Sequence, residues 1–280
     1  MFATLLGALP RPAGDDDDVD RRVEAAVRAQ AEAGLEPITD GRLRGRAFGE
    51  LPRAEEAVAA WRATQGLTDR AVKQALPGPH SFDVSIDALR EVVSALADAG
   101  CPLVEIQETA GERLAQEGEL GRFTEAHERL GRHGSEIHLS LSITGGAPPP
   151  EAWPTILDLP YRSLAVDLID GPDSWNLVTR WPGDRGVIAG VVSGRDSDEP
   201  KEVLLWAAHY AASTKGRGLQ RVGLGSAGSW ASLTWEAAVR KMRLLGEAAR
   251  LATLPPGSEL AHSVDAKSIS ARRAALGHDA

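Results

Sequence analysis

Residues 85–108 read SIDALREVVSALADAGCPLVEIQE. The stretch divides at Gly100. Before it, an amphipathic pattern predicts a helix over 85–99, with Gly100 as its stop because glycine takes a left-handed backbone without strain. After it, an apolar run over 102–106 predicts a strand that ends on Gln107-Glu108. A helix that hands the chain to an apolar strand is the repeating unit of a parallel sheet.

The unit recurs in both directions. Apolar runs lie at 2–9, 35–39, 71–76, 102–106, 136–143, 163–169, 186–192 and 219–224, and further helical patterns at 19–33 and 233–252. Eight runs in 280 residues, or about 35 residues per unit, predict the α/β class and a single (β/α)8 TIM-type barrel. Its span is 1–254, with 255–280 as a polar C-terminal tail. The rival is an open doubly wound sheet. No dinucleotide fingerprint follows the first run. Gly223-Leu224-Gly225 with Gly228 has the spacing but lies at the eighth run, too late for that unit.

Composition narrows the partners. The net charge is −9, from 31 basic and 40 acidic side chains. Phosphate-backbone binding needs a basic surface, so nucleic acid is not the expected partner. No segment reaches the roughly 18 apolar residues of a spanning helix. The apolar start has no basic n-region, so no signal peptide is read and the expected compartment is the cytoplasm. Cys101 is the one cysteine. It excludes an internal disulfide and any multi-cysteine metal site within one chain. The Asp15 to Asp18 run reads as a solvated helix start, with a metal role as the minor alternative.

In a barrel the chemistry sits at the strand C-termini. That rule selects Asp40, Arg42, Arg44, His80, Gln107, Glu108, His138, Ser140, Asp167, Asp170, Ser193, Arg195 and Ser226, with Trp230 just beyond. Arg42, Arg44 and Arg46 read either as an anion clamp, since arginine offers a planar bidentate fork, or as solvated loop charge. Glu108 ends an apolar strand, where burial would raise its pKa for proton transfer; the alternative is a structural salt bridge. His138 reads as general base or substrate ligand, or else as a core histidine. Asp170-Gly171-Pro172 is in part a turn signal, which leaves Asp167 as the preferred carboxylate.

Several of these strand ends resemble the C-terminal catalytic domain of cobalamin-independent methionine synthase, within the uroporphyrinogen-decarboxylase/methionine-synthase-like barrels. The resemblance rests on Leu6-Gly7-Ala8-Leu9-Pro10, Thr39-Asp40-Gly41, Leu76-Pro77-Gly78-Pro79, Val104-Glu105-Ile106-Gln107-Glu108-Thr109-Ala110, His138-Leu139-Ser140 and Gly225-Ser226-Ala227-Gly228. It implies a zinc ion that activates a thiol and a folate-type methyl donor. At the implied ligand positions this chain has His138, Ser140, Asp167 and Ala227, so two sulfur ligands are missing and no metal site is expected. In the implied amino-acid pocket, Arg42 replaces an acid and Gln107 an aspartate, while Glu108 is kept. The reversal at Arg42 favours a small anionic substrate over an ammonium.

The expected function is therefore a diverged methionine-synthase-like methyltransferase-family enzyme without the thiolate zinc site. Its catalytic set is His138, Glu108 and Asp167. Its substrate-binding set is Arg42, Gln107, Arg195, Asp40, His80, Ser140, Ser226 and Trp230. A zinc-free lyase or cyclase repurposed for specialised metabolism is the alternative, as is a non-catalytic ligand-binding or partner subunit. A homo-oligomer or a partner chain stays open.

Overall fold

The computed structural model describes residues 1–12, 18–44, 49–131 and 137–254. The tail at 255–280, Arg46, and Asp15 to Asp17 lie outside the described residues. The strands are β1 (Phe2–Thr4), β2 (Lys73–Pro77), β3 (Leu103–Glu108), β4 (His138–Ile143), β5 (Ser163–Asp167), β6 (Gly186–Val192) and β7 (Val222–Ser226). The helices are α1 (Val19–Glu32), α2 (Ala54–Gln65), α3 (Pro79–Phe82), α4 (Ile86–Asp98), α5 (Glu119–Gly131), α6 (Trp153–Asp158), α7 (Trp175–Arg180), α8 (Lys201–Ser213) and α9 (Trp235–Ala252).

Local chemistry sets the helix starts. Asp18 accepts the amides of Asp20 and Arg21 at the head of α1, Ser85 accepts that of Ala88 in α4, and Thr234 that of Ala237 in α9. Gly100 follows α4 with φ +89°, as the predicted stop requires.

The strands form one curled, wholly parallel seven-stranded sheet in the order β1-β7-β6-β5-β4-β3-β2. The run predicted at 35–39 is no strand; it makes one isolated bridge, Ile38 to Val72. Two local facts shorten it. Pro37 has no N–H to give a ladder. Thr39 is taken by a helix side chain, since its amide donates to Gln30 Oε1 (3.1 Å) and its carbonyl accepts from Gln30 Nε2 (2.7 Å). The segment still touches both edge strands. The Glu36 amide donates to the Ala3 carbonyl (2.8 Å), and the Lys73 amide to that of Ile38 (2.9 Å).

Side chains alternate across the sheet. On β3, Val104 and Ile106 enter the large core beneath the helices. Glu105 and Gln107 take the inner face of the curl. There Glu105 aligns with Ser140 and then Ser163, and Gln107 with Ser142 and then Ala165. A small separate apolar cluster of Leu6, Ala165 and Ile188, with Phe2 against it, fills part of this inner face. Among the described residues no helix is long and apolar enough to cross a membrane.

Candidate active site

The C-terminal ends of the strands enclose a cavity of about 580 Å³. Gln107 reaches it from β3, Ser142 and Thr144 from the end of β4, Asp167 from β5, Arg195 from the turn after β6, and Ala227 from beyond β7. Gly7, Gly145, Gly194 and Gly228 expose backbone along its wall.

Asp167 is the last residue of β5, and its Oδ1 accepts the amides of Ile169 (2.9 Å) and Asp170 (3.0 Å). Burial pushes its carboxyl above the usual range. The two amides and Arg195 oppose that rise, while the charge of Asp170 adds to it. A carboxyl held this way can exchange a proton nearer neutrality than a free aspartate. Arg195 lies across the rim and is hydrogen-bonded to Asp170.

Gln107 is buried in a polar chain along the inner face. Lys73 Nζ lies 2.6 Å from Glu105 Oε2, Gln107 Nε2 donates to Glu105 Oε1 (2.7 Å), and Arg42 Nη1 donates to Gln107 Oε1 (2.8 Å). The structure thus joins Arg42 to Gln107, 65 residues apart. Arg42 turns inward on a left-handed backbone (φ +57°) fixed by Asp40, whose Oδ1 accepts its amide at 2.8 Å. Burial lowers the Arg42 pKa and raises that of Asp40; each group's charge opposes the other's shift. Arg44 is spent on Asp20, at 2.5 Å.

Other expected site residues lie elsewhere. Glu108 faces outward, one residue past Gln107, and sits under α3 and α5. Its oxygens accept the amides of His80 (3.0 Å) and Ser81 (2.7 Å), and His127 Nε2 is 3.0 Å away. The expected rise in its pKa is overturned. Burial pushes the carboxyl up, but His127 and the donors from α3 outweigh it and hold it low. His127 Nδ1 continues to the Tyr161 hydroxyl at 2.6 Å. His80 belongs to the same outer cluster, edge-on to Phe123 and 2.7 Å from Glu119.

His138 opens β4 instead of ending it, so it stands at the opposite end of the sheet with its Nε2 2.8 Å from Ser163 Oγ. Ser140 lies in that half too. Counting back from Gly145-Gly146 places Ser142 near the end of β4 and Thr144 just after it; reading His138-Leu139-Ser140 as a strand end passed over them. Ser226 is a closure device. Its Oγ donates to the Leu6 carbonyl (2.9 Å) and accepts the Leu6 amide (2.7 Å). Ser226→Ala leaves both groups unpaired, and an expected loss of about 1–3 kcal/mol would show in urea unfolding. Trp230 is buried, its indole donating to the Val192 carbonyl at 3.4 Å, and it does not line this cavity. The Cys101 thiol is buried and pushed up to about 11.

The mouth does not fit a thiolate zinc ion. Its potential ligands are the Gln107 amide, the hydroxyls of Thr109, Ser142, Thr144 and Ser229, and two carboxylates, Asp167 engaged by two amides and Asp170 by Arg195; none is a thiolate or an imidazole. Among the described residues no three His, Cys, Asp or Glu side chains converge on a point.

A curled parallel α/β sheet with a cavity at its strand C-termini is an arrangement shared with TIM-barrel folds. No protein-family model matches the chain, and no curated protein matches it in sequence. Solved structures do match its fold. A B12-independent methionine synthase from Shewanella sp. W3-18-1, in complex with selenomethionine, superposes with a TM-score of 0.73 at 14% identity, over 89% of this chain and 96% of that one. A putative vitamin-B12 independent methionine synthase from Listeria monocytogenes gives 0.67 at 16%, over 89% and 97%. A DHDPS from Cyanidioschyzon merolae with lysine bound gives 0.58 at 13%, over 97% and 80%. At these identities the likeness is one of fold.

Proposed function

We propose that the chain is a single (β/α)8 barrel over 1–254, with 35–39 as its eighth staff, and that the mouth is its active site. In this reading it is a diverged methionine-synthase-like enzyme that acts on a small anionic substrate without a thiolate zinc site. The supporting observation is the convergence of Gln107, Ser142, Thr144, Asp167 and Arg195 on one cavity. Arg195 orients the substrate's anionic group, and Gln107, steadied by Arg42 and Glu105, hydrogen-bonds its polar end. Asp167 moves the proton. If the reaction is methyl transfer from a folate-type donor, the acceptor's O–H or N–H gives its proton to the Asp167 carboxylate as the donor's C–N bond breaks, and the donor nitrogen, which keeps that bonding pair, takes the proton from Asp167 and leaves as an N–H amine. Glu108 and His138 have no part in the step, because the fold turns both away from the mouth.

A second reading, a zinc-free lyase, is favoured by the same donor set. A buried carboxylate with a raised pKa suits proton abstraction without any metal. Mass-spectrometric profiling of a small-metabolite extract incubated with the protein separates the readings. A product heavier by one methylene unit marks methyl transfer, and a cleaved or isomeric product marks a lyase. Binding with no product marks a ligand-binding subunit. Asp167→Asn is expected to abolish product formation; unchanged turnover would remove the mouth from consideration.

The same variant carries a stability signature. The folded pKa of Asp167 is raised, so its contribution to stability grows as pH falls through that pKa and is a penalty above it. Asparagine is neutral and still accepts both amides. Asp167→Asn is therefore expected to be as stable as the parent, or up to about 1 kcal/mol more so, near neutrality, and to lack the parent's gain on acidification.

A further inference from the structure

A second cavity, of about 730 Å³, lies at the opposite end of the sheet. The first residues of six strands, Phe2, Lys73, Leu103, His138, Ser163 and Gly186, line it. The two cavities share no lining residue. The face of a barrel away from its strand C-termini ordinarily serves stability, and such a space there needs another account.

Among the described residues its inner wall holds one buried polar group with no partner and one buried cation with a single partner. The Ser140 hydroxyl is buried and has no hydrogen-bond partner. The Lys73 side chain is 1% exposed, and among the described residues its Nζ meets Glu105 Oε2 alone, although an ammonium carries three protons. Buried donors without partners are rare in native structures, and where they occur they point to a ligand or ordered water. Around them Phe2, Leu103 and Ile188 are apolar. At the outer edge Arg162, Arg185 and Arg221 outnumber Asp184. Arg185 and Arg221 also donate to backbone carbonyls, while the Arg162 side chain is exposed.

We propose that this cavity is a second binding site, for a small monocarboxylate with an apolar body. The carboxylate accepts from Ser140 Oγ and Lys73 Nζ, the apolar body lies on Phe2, Leu103 and Ile188, and Arg162 draws the anion in. Glu105 beside the donors disfavours a dianion, which selects a carboxylate over a phosphate. The site is separate from the proposed active site, so its ligand is an effector or a second substrate.

Calorimetric titration with phenylacetate and octanoate tests this, with phenylacetamide and inorganic phosphate as controls. Both carboxylates are expected to bind, and the controls to bind about tenfold more weakly or not at all. Ser140→Val is expected to weaken the carboxylates by about tenfold. Arg162→Glu, on an exposed side chain that leaves the fold intact, is expected to weaken them by about fivefold. Asp167→Asn at the mouth is expected to leave this binding unchanged. Absence of binding by both carboxylates, equal binding of phenylacetamide, or loss through Asp167→Asn but not through Ser140→Val and Arg162→Glu would overturn the proposal.

Discussion

Glu108→Ala is expected to lower the unfolding free energy by about 3 kcal/mol or more, the cost of leaving three buried hydrogen-bond partners without their acceptor at about 1–3 kcal/mol each. The carboxylate is 2% exposed and serves three donors at once: the His80 and Ser81 amides at the head of α3, and His127. Deleting it leaves those amides unpaired and strands a buried imidazole that also holds Tyr161. Gly78 is part of the same device. A Cβ there would stand 2.2 Å from the Glu108 carboxyl carbon, so Gly78→Ala is expected to destabilise as well. The pH dependence has a defined sign. The folded pKa is lowered, so the stabilisation is complete above the ordinary glutamate value of about 4.3 and is lost as pH falls through the folded pKa. Glu108→Gln removes that acid limb from a plot of stability against pH. Urea unfolding across the acid range measures both effects. A loss below about 1 kcal/mol with abolished turnover would return Glu108 to the active site.

The strands were legible because a parallel sheet covered on both faces writes continuous apolar runs. Seven of the eight predicted runs overlap a strand of the sheet. The run at 35–39 fell short for one reason that the sequence displays, Pro37 within it, and one that it does not, since Gln30 of α1 takes both backbone groups of Thr39. The site was less legible, and the cause is the two-residue period. Gln107 and Glu108 are neighbours, both buried, yet they face opposite ways. The alternation Val104-Glu105-Ile106-Gln107 puts Gln107 on the face of Glu105 and Glu108 on the face of Ile106, a signal that selection by strand end passes over. Selecting carboxylates by strand position therefore chose Glu108 together with Asp167, and geometry parts them. The error at His138 was of direction. The polar residues that do reach the mouth from β4 are Ser142 and Thr144, uncharged and easily passed over. Arg42 and Gln107 were singled out from departures at separate strand ends, and their direct hydrogen bond joins two positions that sequence alone left unconnected.

Lys73→Met is the second substitution with a large expected effect, about 3–5 kcal/mol. Lys73 and Glu105 are each 1% exposed and 2.6 Å apart, so removing the ammonium leaves a carboxylate in the interior with Gln107 as its remaining hydrogen-bond partner. Glu105→Leu alone is expected to cost a similar amount by stranding Lys73. The pair taken together behaves differently. Lys73→Met with Glu105→Leu replaces two desolvated charges by apolar volume, and is expected to recover most of either single loss, since such swaps are often neutral. The coupling from a double-mutant cycle in urea is then about 3 kcal/mol or more. Recovered stability should not restore the mouth. Gln107 holds its position between Glu105 and Arg42, and with Glu105 gone its amide loses an acceptor and Arg42 loses a countercharge. The double variant is thus expected to fold like the parent yet bind the substrate more weakly. Parent-like turnover would show that the interior ion pair serves folding alone; a selective loss would show that a chain starting at the first residue of β2 sets the geometry of the opposite end of the sheet.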